Sequence, residues 1–189
     1  MRRGMLAAAL LTCVACGGGG SSSSPATVNG TIGGQGMGAQ DAVSAVITVA
    51  PNSLGDILIT NSPNTCAKLS AGQIPRNAKA IAFGLGTVSG TSISAPTVTA
   101  TFTVYSQANI IGKTGNVGIA RYQAIDANCN PVSDIEATSG TVVLTKVDST
   151  GYAGTLDITF ADSSHVTGSF SAARCNALET APNITGTCV

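Results

Sequence analysis

Tryptophan is absent from this chain, histidine occurs once, and charged side chains make up only 10% of its 189 residues. Each shortage removes a class of function. Carbohydrate sites usually rest on exposed aromatic platforms. Here the candidates reduce to Tyr105, Tyr122 and Tyr152, and of these Tyr105 stands on a threonine-rich strand face and is expected to be exposed. Nine basic residues face nine acidic ones, and loss of a leader containing Arg2 and Arg3 would leave seven against nine. That balance lacks the basic surface that neutralises nucleic-acid phosphates, so no nucleic-acid partner is expected. His165, the lone histidine, is expected as a solvated residue in a turn ahead of a strand. The motifs Gly-x-Ser-x-Gly, Ser-x-x-Lys and His-Glu-x-x-His do not occur. Long apolar runs are missing as well: the stretch from Met5 to Val14 is far short of the roughly 20 residues of a spanning helix.

What the chain does have is apolar content without charge. Hydrophobic residues make up 43% of it, which is not the composition of a disordered chain. Arg2 and Arg3 followed by the short Met5–Val14 stretch read as an export signal. Thr12-Cys13-Val14-Ala15-Cys16 then leads into Gly17 to Gly20 and Ser21 to Ser24. This run resembles the lipobox of bacterial lipoproteins, with Ala15 as the small residue before the acylated cysteine and Cys13 departing from the Leu usual there. The resemblance implies lipidation at Cys16 by palmitate-type chains. It also implies sorting to the outer membrane, because Gly17 is not the Asp that signals inner-membrane retention. Several acyl chains, at about 0.8 kcal/mol per buried methylene, hold a protein on a membrane without a spanning helix. The domain division expected is a signal peptide over 1–15, the acylated cysteine and a flexible tether over 16–26, and one all-β domain over 27–189.

From Thr27 onward the pattern alternates. In Thr97–Tyr105, Val98, Ala100, Phe102 and Val104 share one face, and threonines with Tyr105 share the other, the signature of a half-buried strand. The same reading gives strands over 27–33, 44–49, 56–61, 78–84, 115–124, 140–147, 154–160 and 165–172. The last three form a meander whose strands begin near Gly140, Gly154 and Gly168, joined by the self-capping turns Asp148–Gly151 and Ala161–Ser164. Those glycines are expected to mark curvature rather than room for a ligand. One short helix is expected within Asn61–Gly72, with Cys66 and Leu69 facing inward together. The fold class is therefore all-β: an antiparallel β-sandwich or flattened barrel with one short helix, disulfide-bonded.

Beyond Cys13 and Cys16, four cysteines remain: Cys66, Cys129, Cys175 and Cys188. None of these has C-x-x-C spacing, which disfavours zinc, and an even number in an exported chain implies two disulfides. Three pairings are open. The pairing expected is Cys175–Cys188, closing the tail, with Cys66–Cys129. Asp126-Ala-Asn128-Cys-Asn130 begins like a calcium loop, and Asp126, Asn128 and Asp134 are its candidate ligands. Pro131 and Ala137, however, replace the turn glycine and the bidentate Glu. The plainer reading is turn chemistry around a disulfide, so no metal or other cofactor is expected. Close carboxylates at Asp134/Glu136 and Asp157/Asp162 are those of an exposed acidic edge.

The C-terminal third also resembles uncharacterised lipoproteins of Gram-negative bacteria through Ser139-Gly-Thr-Val142, Gly154-Thr-Leu-Asp-Ile-Thr-Phe160 and Val166-Thr-Gly-Ser-Phe-Ser-Ala172, ending at Cys175. That resemblance implies an address and a fold but transfers no functional residue. The expected function is a lipid-anchored, non-catalytic envelope or adhesion module, meeting the membrane through its anchor. An alternative is a binding module for a small apolar or sugar ligand, near Phe83, Phe102 or Phe160. A hydrolase would require Asp126, Asp134 and Glu136 to converge on a metal.

Overall fold

The structure, a computed structural model, describes residues 25–180 and 186–189. The leader, Cys16 and the tether as far as Ser24 lie outside the described residues, whereas Ala26, expected as the end of the tether, is buried and opens the first strand. In chain order the elements are β1 (Ala26–Ile32), β2 (Gln35–Gly36), β3 (Asp41–Val49), β4 (Asn52–Thr60), α1 (Thr65–Ser70), β5 (Gln73–Ile74), β6 (Lys79–Ser89) and β7 (Ser92–Ser94). There follow β8 (Thr101–Tyr105), β9 (Gly115–Ile125), β10 (Pro131–Asp148), β11 (Gly151–Phe160), β12 (His165–Arg174), α2 (Asn176–Glu179) and β13 (Thr187–Cys188). Every strand expected from alternation is present. A second helix, α2, joins the one expected.

The main sheet closes on itself. Glu136 of β10 pairs with Arg121 of β9, which pairs with Ala82 of β6 and so on through Leu58 of β4, Val43 of β3, Ala173 of β12 and Gly151 of β11. Gly151 pairs back to β10 at Asp148, so the circuit crosses seven strands and returns twelve residues beyond its start. A stagger nearly twice the strand number tilts the strands steeply and makes a barrel of the ladder. Two strands fill the places where neighbours diverge. β8 pairs with β10 along Thr101–Tyr105, and β1 covers β12 along Val166–Phe170. The sheet is mixed rather than wholly antiparallel, because β12 meets β3 and β8 meets β9 in parallel.

Ser44 stitches the parallel seam between β3 and β12. Its hydroxyl donates to the Ala172 carbonyl at 2.9 Å, and its own carbonyl accepts the Cys175 N–H at 2.8 Å. The residue is fully buried, and its polar atoms are satisfied by this seam.

Inward-facing residues fill the barrel. Phe83, Phe102, Phe160 and Phe170, all four phenylalanines of the chain, are buried with Tyr122, Ile57, Ile59, Ile81, Leu144 and Ile158. The rings proposed for a ligand-holding mouth are core instead. Alternation on β6 and β4 leaves Leu58, Ala80 and Ala82 facing outward, and a second apolar cluster forms there beneath the helices, with Val43, Ala45 and Leu178. Cys66 and Leu69 of α1 pack on this cluster together, as their spacing predicts.

The disulfides correct the expected pairing: Cys66 joins Cys175, and Cys129 joins Cys188. Proximity in sequence misleads because β12 runs past β3 and delivers Cys175 beneath α1, beside Cys66. The tail is drawn elsewhere. β13 pairs with β5, Cys188 opposite Ile74, and so reaches the turn that carries Cys129.

The segment 97–100 departs from its expected strand. Val98, expected to face the core with Phe102, is 67% exposed, and β8 begins only at Thr101. Pro96 is buried and packs close against Gly55, and the chain regains the ladder only where Ala100 accepts from the Leu144 N–H.

Asp56 faces outward on β4 between Ala45 and Gly84, partly covered by the apolar cluster beside it. Burial pushes its carboxyl up to about 6, partly offset by a hydrogen bond from the Ile57 N–H. The folded state therefore holds a proton here that the unfolded chain, with the ordinary value of 3.8, has already released. Stability falls as pH rises from about 4 through about 6 and stays lower above, by roughly 2–3 kcal/mol. Asp56→Asn is expected to raise Tm at pH 7.5 by about 4–10 °C and to flatten the pH 5–7 dependence seen by thermal melts of the wild type. A melt profile equally steep in the variant would assign the effect to other groups. Turn carboxylates act oppositely at lower pH. Asp148 is held at about 2, first by the Thr150 hydroxyl, so its contribution is lost as pH falls from 3.8 toward that value.

Candidate functional site

The candidate calcium ligands are each held by local bonds of their own. Asp126 closes its own turn: Oδ1 accepts the N–H of Asn128 at 2.8 Å and of Asn130 at 2.9 Å, bonds that hold the carboxyl below its ordinary value. Asp134 stands on β10 and receives the Arg121 guanidinium from β9 through two nitrogens. Glu136 accepts from the Gln107 N–H. Asp162 caps the Ser164 N–H and takes the Gly33 N–H at 2.8 Å. Asp126, Asn128 and Asp134 thus serve two separate local structures rather than one ligand set. Among the described residues no group of three His, Cys, Asp or Glu side chains is placed to hold a metal ion.

His165 opens β12 rather than lying in the turn, and its Nε2 is 2.8 Å from Asp157 Oδ1 on β11. Both side chains are more than half exposed. A surface pair of this kind is worth little in water.

The cavity of interest lies outside the barrel wall. It encloses about 280 Å³. Its floor is the outward face of the sheet: Leu58 and Thr60 of β4, Ala80 of β6 and Ile125 at the end of β9. α1 forms one side with Thr65, Lys68 and Leu69. The opposite side is Ile74 of β5, followed by Pro75, and the β9–β10 turn with Cys129 and Pro131. The two disulfides brace the two sides, Cys66 anchoring α1 and Cys129 anchoring the far turn.

α1 is held at its start by another strand. Asn64, its N-cap residue, makes no side-chain cap, and Asp41 Oδ2 of β3 accepts the Thr65 N–H at 2.7 Å instead. Below it the hydroxyls saturate one another. Thr60 Oγ1 and Thr65 Oγ1 are 2.7 Å apart, one donating to the other, and each lies 2.9 Å from the Ser62 carbonyl, which accepts the remaining proton. One ammonium borders the cleft, that of Lys68, whose Nζ donates to Ser62 Oγ at 2.5 Å; Lys79 pairs with core-facing Ala124, and its Nζ donates to the Gly36 carbonyl at 2.9 Å, away from the cleft lining. Among the described residues no Asp or Glu lines the cavity, Asp41 standing behind Thr65. The outcome is an apolar cleft with its hydroxyls occupied and one ammonium, that of Lys68, at its edge.

Sequence reasoning did not find this site. The cleft forms because α1 folds back across the outer face of β4 and β6, a tertiary contact without local signature.

No family model matches the chain, and no curated protein or solved structure matches it either.

Proposed function

We propose that this protein is a lipid-anchored, non-catalytic module of a Gram-negative cell envelope, exported by its leader, acylated at Cys16 and carried on a Gly/Ser tether at the outer membrane. The observation that supports this most is the use of cysteine. The chain holds six, and two disulfides consume all four that follow Cys16. Bonds of that kind persist in oxidising compartments beyond the cytoplasm, and an exported chain with a cysteine behind Ala15 and ahead of a Gly/Ser run has the makings of an anchor. A fully extended tether from Gly17 to Ser24 would reach at most about 29 Å, enough to carry the domain clear of the headgroups. The domain begins almost immediately afterwards, with β1 at Ala26. A role in structure or adhesion fits a barrel whose interior is filled by its own side chains.

The test is incorporation of labelled palmitate into cells expressing the wild type or Cys16→Ser. Label is expected in the first and lost in the second. A wild type without label, or a variant that retains it, removes the anchor. Protease shaving of intact cells then reports which face of the outer membrane the barrel occupies.

A further inference from the structure

We infer that Ser62 is an acyl-accepting nucleophile, with Lys68 as its base and the apolar cleft as the seat of the acyl group. The inference goes beyond the anchoring of the protein and does not depend on it. It rests on one juxtaposition: a serine hydroxyl and a lysine amine 2.5 Å apart, both lining the cavity of about 280 Å³. A serine is a weak nucleophile until an adjacent base takes its proton, and a lysine within hydrogen-bond reach is one such base.

The fold presets both groups. Ser62 is buried in the bend between β4 and α1, where its N–H donates to Thr60 Oγ1 at 3.3 Å and its carbonyl lies against both threonine hydroxyls. Lys68 stands on α1, which the Cys66–Cys175 bridge and the bond from Thr65 to Asp41 hold against the sheet. Beside the pair, Leu58, Leu69, Ala80 and Ile125 offer an apolar surface to the tail of an acyl group, which gains by leaving water. A phosphoryl group, with its anionic oxygens, would meet one ammonium and an apolar floor, so the cleft suits an acyl donor.

The step balances within the pair. Where the Lys68 amine is neutral, Ser62 Oγ attacks the acyl carbon of an activated ester and passes its proton to Nζ. The bond to the leaving oxygen then breaks, and Lys68 returns the proton to it. The products are a Ser62 ester and a free alcohol. The ammonium formed midway has further N–H donors for the oxyanion. The acyl chain then fills the cleft and keeps water from the ester, so the reaction stops after one equivalent.

The test mixes the oxidised full-length chain with p-nitrophenyl butyrate at about pH 9, which raises the neutral share of lysine amines. The expected result is a burst of nitrophenol that Ser62→Ala loses, and one butyryl group on the peptide holding Ser62. Hydroxylamine should remove that group, as it does an ester and not an amide. Lys68→Arg keeps a cation that cannot take up a proton, and is expected to slow labelling of Ser62 at least about 100-fold. Circular dichroism reports whether each variant folds, and the location of the label in the wild type is decisive without either. A wild type with no butyryl ester on Ser62, a folded Lys68→Arg labelled as fast as the wild type, or release continuing at the burst rate past one equivalent overturns the inference.

Discussion

Replacing Cys66 and Cys175 together by serine is expected to lower stability by about 4–5 kcal/mol and Tm by roughly 8–20 °C. The bridge closes a loop of 109 residues, against 59 for Cys129–Cys188, and in the chain-entropy account the longer loop costs the unfolded state more freedom. The native state loses as well. Cys175 is buried, and with Cys66 it holds α1 and α2 over Val43, Ala45, Leu58 and Leu178, the apolar cluster outside the barrel. Losing that clamp lets water reach this cluster while the barrel interior keeps its own packing. The variant is therefore expected to lose the cleft and the helices first, giving early loss of amide protection over Thr65–Ser70 while strand protection persists. Thermal melts with hydrogen exchange check both parts. Proteolysis under non-reducing conditions checks the pairing itself: a linked fragment holding Cys175 and Cys188 would reinstate the tail-closing alternative. The magnitude bears on location too. Folded domains are stable by only about 5–15 kcal/mol, so a chain deprived of both bridges keeps little margin in a reducing compartment.

The parts of the fold legible in the sequence are those in which the period of two runs unbroken. β11 shows this best: Leu156, Ile158 and Phe160 are buried in strict alternation, and the turns on either side close through Asp148 and Asp162 as their composition implies. β10 shows the opposite. Its first nine residues were not read as strand because the register shifts between Pro131 and Ser133 and again between Ala137 and Ser139. A bulge adds one residue, and one residue reverses which side chains face inward. Ala137 is core, yet so are Val142 and Leu144, which stand at the opposite parity. No single alternation spans that stretch, although one continuous strand does.

Closure was illegible for a different reason. Whether a set of strands forms a sandwich or a barrel depends on the seam between β3 and β12, only two paired residues long, Ala173 with Val43 and Arg174 with Ser44. Ser44 gave no local sign of its role, since a serine on an alternating strand reads as an outward polar residue. The disulfide pairing and the cleft share this dependence. Cys175, Cys66 and Lys68 acquire their neighbours from the seam and from the helix that folds over it.

Gly154→Ala is expected to destabilise the domain by about 3–4 kcal/mol, from the addition of a single methyl group. Gly154 lies mid-strand on β11, paired with Leu144 on one side and Phe170 on the other. A Cβ there would fall within 3.0 Å of the Val143 carbonyl oxygen, which belongs to backbone and cannot turn aside as a side chain would. Gly168 on β12 is confined in the same way by the Thr27 carbonyl of β1. The neighbours that crowd both positions are strand backbone, so the space left by the missing side chain is occupied by the next strand rather than held for a ligand. This is the curvature role expected for these glycines, and its cause is the steep tilt: strands coiling tightly around a filled core bring adjacent backbones where a side chain would project. Relief in the variant requires β10 and β11 to separate, which breaks ladder hydrogen bonds above Phe160 and Leu144, both buried in the core. Gly36→Ala is the control, because nothing lies within 4 Å of the added carbon there and the change should stay within about 0.5 kcal/mol. Urea unfolding of the two variants separates the cases. Equal midpoints for Gly154→Ala and Gly36→Ala would mean that β10 and β11 do not approach as closely as the closed barrel requires.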